Sequence, residues 1–248
     1  MGCGWLGMAL AIELINKGYS VKGSTTSTHK IDQLKANQIE PFKIDTAARD
    51  DDYLGFLNSD ILIIAITSKN MRDFEHLITQ IESSKLQKVI FVSSTSVYPN
   101  TNGIVNEDSP VNYSSLSEIE NLFKSNNTFQ CTIIRFGGLF GYNRKPGNFF
   151  KTGKQIGNPD GFINFIHRDD CIGIIQRIIE TNTWSTTFNA VADSHPSRRE
   201  FYTQEFNKIG RPDPIFNEKS LNEFKIVSSD KLKSLLGYQF KHSDLTRL

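Results

Sequence analysis

The first seven residues contain glycines at a spacing that suits phosphate binding. Residues 2–7 read GCGWLG, a complete G-x-G-x-x-G pattern. In this pattern the first glycine makes a tight turn, the second lets the backbone approach a pyrophosphate, and the third lets a helix lie close to a strand. Helical apolar spacing and a second strand pattern follow, so the sequence predicts a dinucleotide site; a merely structural glycine turn is the alternative. The predicted cofactor-binding residues of this loop are Gly2, Gly4, Trp5, Leu6 and Gly7.

The end of the second predicted strand bears on which nicotinamide dinucleotide would bind. An acidic residue there would bond the ribose 2′-hydroxyl and favour NAD, but residues 24–30 are hydroxyl and basic residues only. We expect these hydroxyls, with His29 and Lys30, to receive a 2′-phosphate, which favours NADP; a helix-capping run is the alternative. Asp45, after the third strand, would touch the adenine or cap a turn. The other predicted cofactor-binding residues are Ser24, Thr25, Thr26, Asp45, Ala65 and Thr67.

Short β-branched runs alternate with helical patterns through the first two-thirds of the chain. This alternation predicts an α/β fold, a doubly wound parallel sheet of the Rossmann type with helices on both faces. Apolar residues at helical spacing predict helices near 6–14, 71–81 and 116–123, the first ending at Gly18. The predicted strands are residues 20–23, 41–44, 60–66, 88–93, 131–136 and 187–191.

The glycine pattern requires a preceding strand, but only Met1 stands before it. In a doubly wound sheet this first strand lies in the middle, so its absence would leave the edges of its neighbours unpaired. The first strand is apparently missing, and we expect either a truncation or a substitute that fills its place.

Glycine and asparagine cluster from about residue 137, and three more helices are predicted beyond them. They cover 169–180, then 196–209 with Pro196 in the first turn, then a short capped helix ending at Gly237. We therefore predict a dinucleotide-binding domain over residues 1–140. A small C-terminal substrate lobe would cover 141–248, interleaved with the last strands in one compact unit.

Composition excludes several classes of function. The 248 residues include 28 basic and 27 acidic side chains, a net charge of +1, so the chain has no general attraction to nucleic acid or anionic membranes. Three cysteines without a Cys-x-x-Cys pair and five scattered histidines argue against a disulfide scaffold and predict no metal site. No apolar run approaches the roughly 18 residues of a membrane span, and no secretory pattern begins the chain. We expect a cytoplasmic protein.

Several motifs, in order, resemble the extended short-chain dehydrogenases/reductases, the group of nucleotide-sugar epimerases and dehydratases. The resemblance covers nearly the whole chain and is most specific to the atypical YeeZ-like branch, which shares the GCGWLG loop. It implies an NAD(P) cofactor, a small-molecule substrate such as a nucleotide sugar, and often a homodimer formed by helices near 71–81 and 114–124. The motifs are FVSSTSVY at 91–98, EDSP at 107–110, IRFGGLFG at 134–141, FINFIHRDDC at 162–171, FN at 188–189 and PSRREFY at 196–202.

The resemblance also implies a catalytic Ser or Thr, a Tyr, and a Lys four residues after the Tyr. Ser94 matches the first position, or it is a strand-end hydroxyl that caps a turn; Asn112 and Leu116 stand at the other two. None of the seven tyrosines has a Lys four residues later, and a tyrosine of pKa about 10 is a poor base without a nearby cation. The candidate catalytic residues are Ser94, Tyr98 and Tyr113.

Two groups of charged residues could serve either a functional site or only the local structure. Residues 167–170 form a charged cluster, which we interpret as Asp169 or Asp170 capping the next helix. A second, basic group would hold a diphosphate or form a solvated loop. Its members are Arg144, Lys145, Lys151 and Lys154.

Two functions from different classes fit this sequence. The first is an atypical NAD(P)-dependent oxidoreductase or epimerase-like enzyme, which Ser94 and the C-terminal motifs favour. The second is a non-catalytic NAD(P)-binding regulatory or redox-sensing protein, which the missing Tyr-x-x-x-Lys pair favours. Fold-level analogy does not decide between them.

Overall fold

A computed structural model describes residues 1–48, 51–151 and 153–247 of the chain. No helix within those ranges is long and apolar enough to span a bilayer. The helices are α1 (Trp5–Asn16), α2 (Ile31–Ala36), α3 (Tyr53–Leu57), α4 (Met71–Glu82), α5 (Ser115–Lys124), α6 (Arg168–Glu180), α7 (Arg198–Lys208) and α8 (Asp230–Leu236). The strands are β1 (Lys22–Thr25), β2 (Glu40–Lys43), β3 (Ile61–Ile64), β4 (Lys88–Ser94), β5 (Gly103–Val105), β6 (Gln130–Phe136), β7 (Gly138–Phe140), β8 (Ile156–Gly157), β9 (Phe165–His167), β10 (Thr187–Ala190), β11 (Phe216–Asn217) and β12 (Lys225–Val227).

The main sheet has four strands in the order β10-β6-β4-β3. β3 and β4 run parallel, with Leu62 opposite Val89 and Ile64 opposite Phe91. β1 and β2 form a separate parallel pair, as do β5 with β12, β7 with β9 and β8 with β11. The predicted α/β fold with a parallel, Rossmann-like sheet is confirmed.

The contacts within the chain group it into two units. Unit 1 comprises Met1–Ser93, Tyr113–Ile134 and Ile174–Thr187. Unit 2 comprises Ser94–Asn112, Arg135–Gly173 and Phe188–Leu248. Each unit combines separate stretches of sequence, whereas the expected domains divide the chain once, at residue 140; that division stays a prediction about separable domains.

The core of unit 1 lies between the strands and the helices that follow them. Leu62 and Ile64 of β3 and Phe91 of β4 are buried with residues of α4 and α5 in one apolar cluster. Phe91 and Phe123 stack with ring centroids 4.9 Å apart. Ile90 points to the other face of β4 and is also fully buried, as expected for a parallel strand covered on both faces.

Unit 1 contains a groove between β1 and β3, which we call the strand slot. Its volume is about 350 Å³. β1 pairs only with β2 and β3 only with β4 among the described strands, so the two facing edges carry no strand between them. The lining includes residues of both edges, Val21 and Lys22 on one side and residues 61–63 on the other, with Leu10 and Leu14 of α1. The slot lies between β1 and β3, where a doubly wound sheet has its first strand.

Two predicted helices begin one or two residues from their predicted starts, and the roles predicted for their first residues are wrong. α7 begins at Arg198, and Ser197 caps it in a capping box with Glu200, so Pro196 precedes the cap and does not lie in the first turn. α6 begins at Arg168, so Asp169 and Asp170 lie inside its first turn and neither is its cap. The predicted ends at Gly18 and Gly237 are confirmed, because both glycines adopt positive φ, 88° and 59°, just after a helix.

Candidate functional site

The glycine loop is fixed between the ends of β1 and β3. The Met1 amine donates to the Ile63 carbonyl at 2.6 Å, and the amide of Ala65 donates to the Met1 carbonyl at 3.0 Å. On the other side, the amide of Cys3 donates to the Ser24 carbonyl at 2.9 Å. These bonds place the loop at the carboxyl ends of the two strands, where ligands bind in open α/β sheets.

The three glycines of the loop differ in what a side chain would meet. Gly2 has φ +86°, and a Cβ there would lie 2.7 Å from the Ala65 carbonyl oxygen. A Cβ on Gly7 would lie 2.2 Å from the Gly2 carbonyl oxygen. A Cβ on Gly4 would meet nothing within 4 Å. Gly2 and Gly7 are therefore required by the fold, whereas the space beside Gly4 is open to a ligand.

Helix α1 presents its N-terminus to that open space. Gly4 is the N-cap residue and supplies no side-chain cap, and the first turn contains no acidic residue. The first N–H groups of a helix have no partner within it, and they carry the positive end of its dipole. This is the arrangement that attracts a phosphate.

A second pocket, which we call the loop pocket, collects most of the predicted cofactor-binding residues. Its volume is about 380 Å³. The predicted residues that line it are Gly2, Gly4, Ser24, Thr25, Thr26, Asp45, Ala65 and Thr67. Trp5, Leu6 and Gly7 do not line it, and Leu6 is buried against the core side of α1.

The polar groups of the loop pocket divide into structural and outward-facing ones. The hydroxyl of Ser24 accepts from the Gly2 amide at 3.0 Å, and that of Thr25 accepts from the Ser27 amide at 3.1 Å. The Asp45 carboxylate accepts from the Ala47 amide at 3.0 Å, so Asp45 caps a turn at the pocket wall. Thr26 is exposed there and Lys30 is half-buried.

Sequence reasoning missed Ser68 and Asp73 in the pocket lining. Asp73 is buried in the first turn of α4, with the Ser68 hydroxyl 3.4 Å from its carboxylate. The sequence does contain a signal for the start of α4, namely the Asn70 cap and the acidic first turn of a strongly amphipathic helix. This signal predicts where the helix begins, but it does not predict that the start of the helix lies beside the glycine loop.

Ser94 is the last residue of β4 and caps the turn that follows. Its hydroxyl accepts from the Ser96 amide at 3.1 Å, which is the capping alternative. The neighbouring Ser93 donates to the buried Glu120 carboxylate at 2.6 Å, and Lys124 lies 3.2 Å from the same carboxylate. Ser93 thus serves the core of unit 1, and the catalytic role of Ser94 stays a prediction.

Tyr98 lies in the core of unit 2. Its ring is 1% exposed, and its hydroxyl donates to Asn189 Oδ1 at 2.9 Å and accepts from Arg135 at 2.5 Å. Burial raises the pKa of Tyr98 above its ordinary value, more than the Arg135 charge lowers it. A phenol held in this way favours its neutral form and is a poor proton acceptor near neutral pH.

Tyr113 has the opposite environment. Its side chain is 90% exposed, and a hydrogen bond with the Glu118 carboxylate raises its pKa. No enclosure surrounds this phenol, and its carboxylate neighbour disfavours the phenolate. Neither tyrosine reproduces a phenol beside a lysine ammonium.

The four members of the basic group at 144–154 lie at the surface. The Arg144 guanidinium donates to the Leu139 carbonyl at 2.7 Å and lies over the Phe149 ring. Lys145, Lys151 and Lys154 are exposed. This arrangement resembles the solvated-loop alternative more than a diphosphate clamp.

The chain is similar over its whole length to a protein of known sequence. It is 28% identical to "Protein YeeZ" of Escherichia coli strain K12 over 262 aligned residues, covering 98% of this chain and 95% of YeeZ. The chain is YeeZ-like. No family model matches it.

Solved structures share its fold. A conserved protein of unknown function from Silicibacter pomeroyi has a TM-score of 0.83 at 18% identity, covering 99% of this chain and 93% of that one. A UDP-glucuronic acid 4-epimerase from Bacillus cereus, in complex with NAD, has a TM-score of 0.77 at 19% identity, covering 98% and 92%. The chain thus shares the Rossmann-like fold of these solved structures, and the resemblance to the YeeZ-like branch inferred from its motifs is confirmed by the sequence similarity to YeeZ.

Proposed function

We propose that this chain binds a nicotinamide dinucleotide in the loop pocket. The observation that carries the proposal is the open space beside Gly4, at the uncapped N-terminus of α1, in a pocket that contains eight predicted cofactor-binding residues. The pyrophosphate would accept from the first N–H groups of α1, and the adenosine ribose would lie toward Ser24–Thr26. The epimerase of similar fold named above was solved with NAD, which supports this class of ligand.

The proposed dinucleotide is NADP in preference to NAD. No carboxylate follows β1 before Asp32, so the group that would bond a free ribose 2′-hydroxyl is absent from that position. Exposed Thr26 and half-buried Lys30 stand at the pocket wall and would bond a 2′-phosphate through charge-assisted hydrogen bonds.

The proposed reaction is of the epimerase, dehydratase or oxidoreductase class on a nucleotide sugar or similar small molecule. The structural neighbour that acts on a UDP-sugar supports this substrate class. Ser94 would bond the substrate oxygen, and another group must replace the missing tyrosine and lysine. The alternative is a non-catalytic NAD(P)-binding sensor, which the buried Tyr98 and the exposed Tyr113 favour.

Calorimetry with NADP, NADPH, NAD and NADH tests the binding proposal. Gly4→Ala should lower dinucleotide affinity by about tenfold or more, equivalent to roughly 1.4 kcal/mol, because its methyl group would occupy the space next to the pyrophosphate. The fold tolerates the change, since that methyl group meets no protein atom within 4 Å. Gly103→Ala, in unit 2, is a matched control because its nearest neighbours lie 3.9 Å away.

Each outcome has a defined meaning. Binding that is lost in Gly4→Ala and kept in Gly103→Ala supports the loop pocket. Equal affinity in both variants would place the ligand elsewhere, and no binding of the four dinucleotides to the unchanged chain would refute the proposal. With binding established, oxidation or reduction of bound nucleotide on addition of UDP-sugars separates an enzyme from a sensor.

A further inference from the structure

Three side chains of unit 2 converge outside the sites described so far. His167 ends β9, Asp169 lies in the first turn of α6, and His242 belongs to the segment after α8. One ligand atom from each lies within 4.8 Å of the others. All three side chains are partly buried, with 12%, 29% and 28% of their surface exposed.

The distances suit a shared metal ion. His167 Nδ1 lies 3.6 Å from Asp169 Oδ2, and His242 Nε2 lies 3.5 Å from the same oxygen. Zinc binds imidazole nitrogen and carboxylate oxygen at about 2.0–2.2 Å, so ligand atoms in a tetrahedral site stand roughly 3.3–3.6 Å apart. The two distances fall within that interval.

The carboxylate of Asp169 is held in the orientation that a ligand needs. The Tyr142 hydroxyl donates to Asp169 Oδ1 at 2.8 Å, which leaves Oδ2 facing the two imidazoles. Hydrogen bonds from outer groups to ligating carboxylates are a regular feature of metal sites.

His242 is held by the neighbouring carboxylate. Asp170 is fully buried and accepts from the amides of Lys241 at 2.7 Å and His242 at 3.0 Å. The Tyr238 hydroxyl donates to the same carboxylate at 3.0 Å. Asp170 therefore fixes the C-terminal segment so that the His242 ring lies beside Asp169.

His167 is confined by close packing. Gly141 adopts φ +121°, and a Cβ there would lie 2.4 Å from His167 Nε2. The Phe140 ring meets the imidazole edge-on at 5.2 Å, and the His242 ring lies 3.8 Å away. The Asp169 amide lies 3.3 Å from Nδ1 as a donor, and a metal ion bound to Nδ1 would replace this long hydrogen bond.

We propose that His167, Asp169 and His242 bind one divalent transition-metal ion of the zinc type. Two imidazoles and one carboxylate are ligands that suit zinc and neighbouring metals. Three protein ligands leave a fourth position for water or for a donor atom of a small molecule. The ion would join β9, α6 and the C-terminal segment. This proposal is independent of dinucleotide binding, because the loop pocket belongs to unit 1.

Zinc titration of the full, tag-free chain after treatment with a chelator tests the site. The unchanged chain should bind one equivalent of Zn²⁺ and should unfold at a higher temperature with the ion than without it. His242→Ala and Asp169→Asn should each weaken binding by about tenfold or more. His29→Ala is the matched control, because His29 is exposed and lies in unit 1, and it should bind as the unchanged chain does.

A spectroscopic measurement keeps the test informative if a variant is unstable. Co²⁺ in the unchanged chain should give the visible absorption of a tetrahedral nitrogen–oxygen site without a thiolate charge-transfer band. A thiolate band would assign the ion to one of the cysteines and refute the proposal. Absence of binding, or equal binding by the unchanged chain and His242→Ala, would leave a hydrogen-bonded His–Asp–His cluster and would also refute it.

Discussion

The phenol oxygen of Tyr98 lies between the Arg135 guanidinium and the Asn189 amide, all three buried in unit 2. Tyr98→Phe removes this oxygen and takes one acceptor from a buried cation. The lost bonds should lower the free energy of unfolding by about 1–3 kcal/mol, which urea unfolding followed by circular dichroism would measure.

Tyr113→Phe is the matched control for that change. Its hydroxyl is solvent-exposed, so this variant should unfold at the same urea concentration as the unchanged chain. If Tyr98→Phe were as stable as Tyr113→Phe, the buried network would not be a stabilising one. The Tyr98 oxygen would then have a role other than stability, with proton transfer the first to test.

Glu107 provides a pH-dependent prediction in the same network. Its carboxylate accepts from the backbone amide of Asn189 at 2.6 Å. Burial nevertheless raises the pKa of Glu107 above the usual 4.5, by more than this bond and nearby cations lower it. The folded chain therefore holds this proton more tightly than the unfolded chain does. By linkage, the Glu107 contribution to stability is greatest at low pH and is lost as pH rises from about 4.5 through the raised pKa.

Glu107→Gln removes that dependence. The difference in unfolding free energy between the variant and the unchanged chain should grow in favour of the variant as pH rises from about 4.5 to 7. Urea unfolding of both chains at several pH values gives this difference directly. A difference that stays constant, or that changes in the opposite direction, would mean that hydrogen bonding to the carboxylate outweighs its burial.

At the scale of elements, the strands of the main sheet are the part that sequence predicts well. Residues 60–66 and 88–93 are β-branched and apolar enough to be recognised as strands without their neighbours. The structure places β3 within the first of these predicted runs and ends β4 one residue beyond the second. Amphipathic spacing likewise locates α4 and α5 to within one residue of the predicted helices at 71–81 and 116–123. Local patterns suffice here because each helix buries one continuous apolar face and each strand is a continuous apolar run, as expected for a parallel strand covered on both faces.

Short and long-range features are the part that sequence does not predict. Strands of two or three residues such as β8 and β9 are too short to show a period of two. Asp169 and Asp170 look like helix caps locally, but their partners His242 and Lys241 lie more than 70 residues away. A capping preference of about 1 kcal/mol is too small to predict the roles of Asp169 and Asp170, because contacts with these distant partners also stabilise their positions.

The candidate cofactor site likewise combines residues that a local pattern predicts with residues that only the folded chain brings together. The glycine loop and the strand ends follow from a local pattern, and eight of the eleven predicted residues line the loop pocket. Ser68 and Asp73 were missed because the approach of α4 to the loop is a property of the folded unit. The scattered histidines predict no metal site for the same reason, since β9, α6 and the C-terminal segment bring two of them together only in unit 2.

At the scale of the whole molecule, the strand slot is the place where the described strands lack a member that a doubly wound sheet has. A doubly wound sheet needs a central strand between β1 and β3, and Met1–Cys3 bridge the two edges through three backbone bonds. Burial at this position lowers the pKa of the Met1 amine to about 6, because desolvation disfavours the charged form. The slot is therefore suited to an uncharged extended backbone with apolar side chains.

A four-residue extension of sequence Ile-Val-Ile-Val before Met1 should fill the strand slot. It would replace the amine by a peptide group, pair with the facing edges of β1 and β3, and bury apolar surface worth about 25 cal/mol per Å². The expected result is a higher melting temperature and slower aggregation, because unpaired strand edges promote association. A Ser-Gly-Ser-Gly extension of equal length is the control and should gain little. Equal melting temperatures for the two extended chains would mean that the slot does not accept a strand, and that the groove edges are stabilised by α1 alone.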